Sequence, residues 1–178
     1  NEARRKNHRS ETYVNYLATV SGVPANTYSV VQPSLATGNP RLDNQAAVVD
    51  VDSLRRLNVT WVAAAYPMTG LEPYLKVQED SEYLYQIGDP PLYPRLVADN
   101  ELTIPVEVTT INANELVFHL DGTAGRLETA EVYYPGWVAS IDGQPAEIAV
   151  QDGLFRSVEV PEGSSELRMV YRPPLLYV

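Results

Sequence analysis

In the second half of the chain, apolar and polar residues alternate with period two in short runs. Leu116, Phe118 and Leu120 alternate with Val117 and His119, and Leu167, Met169 and Tyr171 alternate with Arg168 and Val170. In a strand this period sends successive side chains to opposite faces, so each run has one face for a core. Such runs predict strands over 104–110, 115–120, 127–134, 137–141, 146–150, 154–160 and 166–171. Glycine turns separate them: Asp142-Gly143, Asp152-Gly153 and Pro161-Glu162-Gly163. Asp-Gly between two strand-like runs is a strong hairpin signal. Seven strands at this spacing predict an antiparallel β-sandwich, jelly-roll or immunoglobulin-like, over residues 98–178.

Residues 1–97 follow another pattern and predict a small α/β lobe, which makes the chain mainly β (α+β overall). Tyr13, Tyr16, Leu17 and Val20 form a helical stripe in a helix over 11–20, with Ser10 as its cap and Gly22 and Pro24 as its stop. Residues 23–44 are rich in Pro, Ser, Asn and Gly and predict mostly loop. Asp50 suits the N-cap of a short helix over 51–57 closed by Asn58. A buried strand follows over 59–65, and a further strand over 81–87. Gly88 to Pro94 carries Pro90, Pro91 and Pro94, cannot enter a central strand, and reads as an extended crossover.

Composition narrows the function. The 178 residues carry a net charge of −10, and residues 1–9 hold Arg4, Arg5, Lys6 and Arg9 against Glu2, so the remaining body is more acidic still. An acidic body excludes nucleic acid as a partner, since phosphate binding needs a basic surface. The basic leader reads as a disordered chain end, with attraction to anionic lipid headgroups as the alternative. There is no cysteine, so no disulfide or thiolate metal site is available. No apolar run reaches the roughly 20 residues that span a bilayer. A start without Met and an ending in LLYV lead us to expect a piece of a larger protein.

Candidate chemistry is sparse. His119 is the only histidine outside the leader and sits in an alternating strand, where it reads as a structural or surface side chain. Asp142 and Asp152 form a conceivable glycosidase pair, but each precedes glycine and is expected to hydrogen-bond its own turn. Glu79-Asp80-Ser81-Glu82 is acidic without the ligand spacing of a calcium loop and reads as a solvated turn. We therefore expect no catalytic residue, no metal and no cofactor. Twelve tyrosines against two phenylalanines make the aromatics the best candidates. Tyr133, Tyr134 and Trp137 surround Pro135-Gly136 and form a candidate sugar-stacking surface; the structural alternative is Trp137 as an inward core anchor. Arg156 lies on an apolar face between Leu154 and Val158, where it should pair with a carboxylate or with carbonyls.

The order Tyr133-Tyr134-Pro135-Gly136-Trp137, Asp142-Gly143, Gly153-Leu154-Phe155-Arg156, Pro161-Glu162-Gly163 and Tyr171-Arg172-Pro173-Pro174 resembles the YfhO-type family of bacterial polytopic membrane proteins, which are similar to glycosyltransferases of the C superfamily. Leu54 to Val62 and Tyr93 to Val97 extend the resemblance over residues 42–174. Ile87-Gly88-Asp89-Pro90 departs from the Glu-Asn common there in the family. The resemblance implies a non-catalytic domain on the extracytoplasmic face of the cell membrane. Its implied partners are the transmembrane part of its own parent chain and a cell-envelope glycan or lipid-linked sugar. The family's catalytic acids lie in other loops, so none is implied here. A carbohydrate-binding module using Tyr133, Tyr134 and Trp137 is the alternative.

Overall fold

The computed structural model describes residues 2–22, 37–44, 46–80, 82–89 and 93–173; the side chains of the basic leader and most of the proline-rich crossover lie outside these. The chain divides into two compact units, Asn1–Pro91 and Leu92–Val178. Both are built on antiparallel sheets, so the expected mainly β, sandwich-bearing architecture is the one observed.

Among the described residues the first unit holds three α-helices, α1 (Glu2–Ser21), α2 (Pro40–Asp43) and α3 (Val51–Arg56), a 3-10 turn over Glu72–Tyr74, and a sheet of β1 (Trp61–Ala64), β2 (Leu75–Glu79) and β3 (Glu82–Gln86) in the order β1-β3-β2. Asp50 caps α3 as expected: its carboxylate accepts from the Asp52 and Ser53 amides at 3.1 and 3.2 Å. Those bonds satisfy amides that the first turn of a helix leaves without partners. Asn58 adopts φ 64° and turns the chain into β1. The core gathers Val49, Leu71, Tyr85 and Ile87, and the Tyr85 hydroxyl accepts from the Met68 amide at 3.0 Å. Three expectations change. α1 begins at Glu2, well before residue 11. β1 is buried on one face only, with Val62 and Ala64 against the core and Trp61 turned to solvent, and among the described residues it pairs with β3 alone, which makes it an edge strand. β2 was not expected, since LKVQE is exposed throughout and shows no alternation of burial.

The second unit is the sandwich. One sheet runs β10-β9-β13-β7-β6 and the other β11-β12-β8-β4-β5. Their ranges are β4 (Arg95–Ala98), β5 (Thr103–Pro105), β6 (Glu107–Asn112), β7 (Glu115–His119), β8 (Gly125–Val132), β9 (Trp137–Ile141), β10 (Gln144–Ala146), β11 (Ala149–Gln151), β12 (Phe155–Val160) and β13 (Glu166–Tyr171). Leu96, Leu127, Val158 and Val160 of one sheet share a core with Leu116, Phe118, Ile141, Leu167 and Met169 of the other. The alternation of 116, 118 and 120 points inward as expected, while His119 is exposed. β4 pairs with β5 and β8, so the break expected after residue 97 would cut through a sandwich strand.

Two expected strands are each split between sheets. Residues 104–110 become β5 and β6, and 146–150 becomes parts of β10 and β11. These four are the edge strands, and each pair steps from one sheet to the other along one side of the sandwich. Pro105 and Pro145 sit in them, where a missing amide donor costs little.

Strand pairing sorts the loops into two sets. Ile141 and Glu166 lie together because Leu167 is opposite Ile141, while Trp137 is opposite Tyr171. Loops 99–102, 120–124, 142–143 and 161–165 gather at the first end. Loops 113–114, 133–136 and 152–154 gather at the second, together with Tyr93 before β4 and Arg172 after β13.

Candidate functional site

The second end carries the aromatic residues singled out in the sequence. β8 supplies Glu131, the following loop Tyr133 and Tyr134, β9 Trp137, β12 Arg156 and β13 Tyr171. Gly136, at φ 103°, bends the loop so that its carbonyl accepts from the Arg172 amide at 2.6 Å. A Cβ there would lie 2.9 Å from Tyr171 Cε2, so the close approach of loop and ring requires glycine.

Trp137 is partly buried against the core, and the Arg156 guanidinium carbon lies 4.0 Å from its ring centroid. Tyr171 packs beside it at 5.6 Å and 45°. Tyr134 lies 6.2 Å from Tyr171 and is 50% exposed, while Tyr133 is half-buried. One face of Trp137 is thus already occupied, and Tyr134 is the ring most open to solvent of the three residues proposed from sequence.

Arg156 is 2% exposed and, of the two kinds of partner its sequence position allowed, meets a carboxylate: Nη2 donates to Glu131 Oε2 at 3.0 Å. The pairing depends on a bulge. Between the register pairs Phe155–Val132 and Ser157–Glu128, β12 has one residue and β8 has three. The extra residues of β8 bring Glu131 to Arg156, and the Thr129 hydroxyl donates to the Arg156 carbonyl at 2.9 Å. Arg156 Nη1 approaches Met169 Sδ at 4.0 Å, and Nε has no hydrogen-bond partner among the described residues. Burial therefore pulls the arginine's pKa down, against the opposing pull of Glu131.

A second buried charge was not foreseen. Glu128 is 2% exposed and accepts from Arg95 at 2.9 Å, Arg126 at 2.8 Å and Gln151 at 2.6 Å. Burial works to raise its pKa, but the bonds from Arg126, Gln151 and Arg95 prevail and hold it below the ordinary value. The readable signal was Arg126-x-Glu128, two charges on one strand face. Arg95 comes from a distant strand and stacks over Tyr93 at 4.7 Å, which no local pattern announces.

The two Asp-Gly turns cannot cooperate. Asp142 and Gly143 both have positive φ, 47° and 80°, as a type I′ hairpin requires. Contrary to expectation, the Asp142 carboxylate bonds not to its own turn but to Ser165 Oγ at 2.6 Å and the Glu166 amide at 2.9 Å. Asp152 lies at the other end of the sandwich, a strand length of roughly 17–20 Å away. Two-carboxylate glycosidases need separations of about 5–9.5 Å. Glu79, Asp80 and Glu82 form a hairpin tip, with Asp80 at φ 50°. Among the described residues, no group of three His, Cys, Asp or Glu side chains is placed to hold a metal, and no helix is long and apolar enough to cross a membrane.

In comparisons with known proteins the chain matches no family model, no curated protein and no solved structure.

Proposed function

We propose that this chain is a non-catalytic, extracytoplasmic domain of a multi-pass membrane protein related to lipid-linked-sugar glycosyltransferases. Its role is to cover the membrane-embedded site or to help hold the acceptor. The reading draws its family from the ordered motifs between residues 42 and 174. The observation that carries its non-catalytic half is the use made of charge in the sandwich. Glu128 is saturated by two arginines and a glutamine, Arg156 is bound to Glu131 and Trp137, and Asp142 clasps Ser165. Catalytic acids and bases need pKa values near the working pH. Glu128 and Asp142 are instead held below the ordinary carboxylate value, Glu128, against the effect of burial, by its bonds to Arg126, Gln151 and Arg95, and Asp142 by its bonds to Ser165 and Glu166.

The test is the encoding gene. An apolar run of about twenty residues soon after Val178, with further runs upstream, is the expected result. A complete soluble product starting near Asn1 would overturn the reading, and so would sugar transfer or glycan hydrolysis by the purified chain.

The second reading, a carbohydrate-binding module, is favoured by the exposed ring of Tyr134. Stacking would fall on Tyr134 more than on Trp137 or Tyr133. Glycan binding that Tyr134→Ala weakens, with the fold intact, is its expected signature.

A further inference from the structure

The two ends of the sandwich differ sharply in chemistry. Loops 99–102, 120–124, 142–143 and 161–165 carry Asp99, Glu101, Asp121, Asp142 and Glu162, with no lysine or arginine. Loops 113–114, 133–136 and 152–154, with Tyr93 and Arg172, carry only Asp152 and Arg172, which cancel, and they bring Tyr133 and Tyr134 beside Tyr93; Glu115 and Glu131 on the adjoining strand ends are each paired with an arginine, Arg168 and Arg156.

Apolar exposure follows the same division. Among the described residues of this unit, the strongly exposed large apolar side chains are Leu102, Ile111, Tyr134, Val138 and Val150. Leu102 alone belongs to the acidic end. Ile111, Val138 and Val150, exposed by 73%, 43% and 46%, each lie one residue in from the end of their strand, at the aromatic end. They come from β6, β9 and β11, that is, from both sheets, and so form a discontinuous apolar belt behind the tip that carries Tyr134. Isolated apolar residues on a surface need no explanation, but this confinement to one end does.

We propose that the aromatic end of the sandwich rests in the headgroup region of a lipid bilayer, with the acidic end turned away from it. The inference deepens the membrane-domain reading above and rests on it. Three observations favour a bilayer over a soluble glycan. Tyrosine and tryptophan settle at membrane interfaces, where a flat apolar body meets a polar tip. A belt spread over two sheets suits a planar, laterally extended partner better than a single sugar ring. β13 closes at this end, where Tyr171 is opposite Trp137, so on the membrane-domain reading an attachment that follows β13 holds this end near the surface. Charge sets the orientation, because anionic headgroups repel the five loop carboxylates of the other end.

The chain has no native cysteine, which makes the test direct. Ala113→Cys marks the aromatic end and Glu162→Cys the acidic end, each labelled with an environment-sensitive fluorophore. Vesicles of pure phosphatidylcholine, and of phosphatidylcholine mixed equally with phosphatidylglycerol, are then added to the full chain. The label at 113 should shift to the blue with both vesicle types while the label at 162 does not. Adding Tyr134→Glu should weaken the response at 113 about tenfold, with circular dichroism unchanged. Equal responses at both sites, no response at 113, a response that survives Tyr134→Glu, or a response at 113 to soluble glycan but not to vesicles would each overturn the proposal. The outcome is separable from the family reading, which the gene's flanking sequence decides alone.

Discussion

The guanidinium of Arg156 lies over the ring of Trp137, 4.0 Å from its centroid, and is tied at its far side to Glu131. The cation is buried while the carboxylate is half exposed. That asymmetry decides what each substitution does. Glu131→Ala leaves a buried charge without its partner and should cost roughly 3 kcal/mol. Arg156→Met removes the buried charge, fills much of the same space and leaves Glu131 free to take up water, so it should cost less, about 1 kcal/mol. Urea unfolding of the two variants checks the order; an Arg156→Met loss larger than that of Glu131→Ala would contradict it.

Glu128 presents the reverse arrangement, a buried carboxylate served by partly exposed arginines. Glu128→Ala empties a buried site and takes the shared acceptor from Arg95, Arg126 and Gln151 at once, so it should destabilise by about 3 kcal/mol, while Arg126→Ala, which leaves Arg95 and Gln151 in place, should cost about 1 kcal/mol. Equal losses would show that the three donors do not share the load.

The same carboxylate predicts an acid limb. Its folded pKa is lowered from 4.5, so above that value both states are ionised and its stabilisation is complete. As pH falls below 4.5 the unfolded chain binds the proton first, and the contribution is lost once pH passes the folded value. Asp142 and Asp50 act in the same sense around 3.8. The urea midpoint should stay level from neutrality to about pH 5.5 and then fall. Glu128→Gln should make that fall shallower, and an unchanged slope would remove Glu128 from the account.

Asp142 joins the β9–β10 turn to the start of β13 through Ser165 and Glu166. Asp142→Asn preserves a good type I′ turn residue but replaces one acceptor oxygen with a donor. Its melting temperature should fall, and Asp142→Gly, which also suits the turn, should fall at least as far. If both variants melt with the parent protein, the clasp contributes nothing.

Gly136→Ala places a methyl group against Tyr171 and the Arg172 carbonyl at positive φ. A loss of about 1–3 kcal/mol is expected, with the tyrosine signals of the aromatic end shifted in the NMR spectrum. Unshifted signals would mean that the loop accommodates the methyl group without moving Tyr171.

Much of this protein was legible locally. β9 and β13 fall where alternation and glycine turns place them, because the period of a strand and the positive φ of an Asp-Gly hairpin are properties of a few adjacent residues. Asp50 as a cap and Arg156 as a buried cation in need of a carboxylate or carbonyls could be argued the same way. Tertiary structure alone decided which sheet each edge strand joins. Ile104, Val106 and Val108 keep one period across the switch, and so do Ala146 and Ile148, since both sheets offer the same apolar interior. It alone chose Glu131 for Arg156, through a bulge, and brought Arg95 to Glu128 from 33 residues away. It also sent Asp142 to Ser165 and parted the acidic loops from the aromatic ones. Pattern along a chain reports which side of a strand is apolar; the partners of a buried charge are set by register between strands, which no single strand contains.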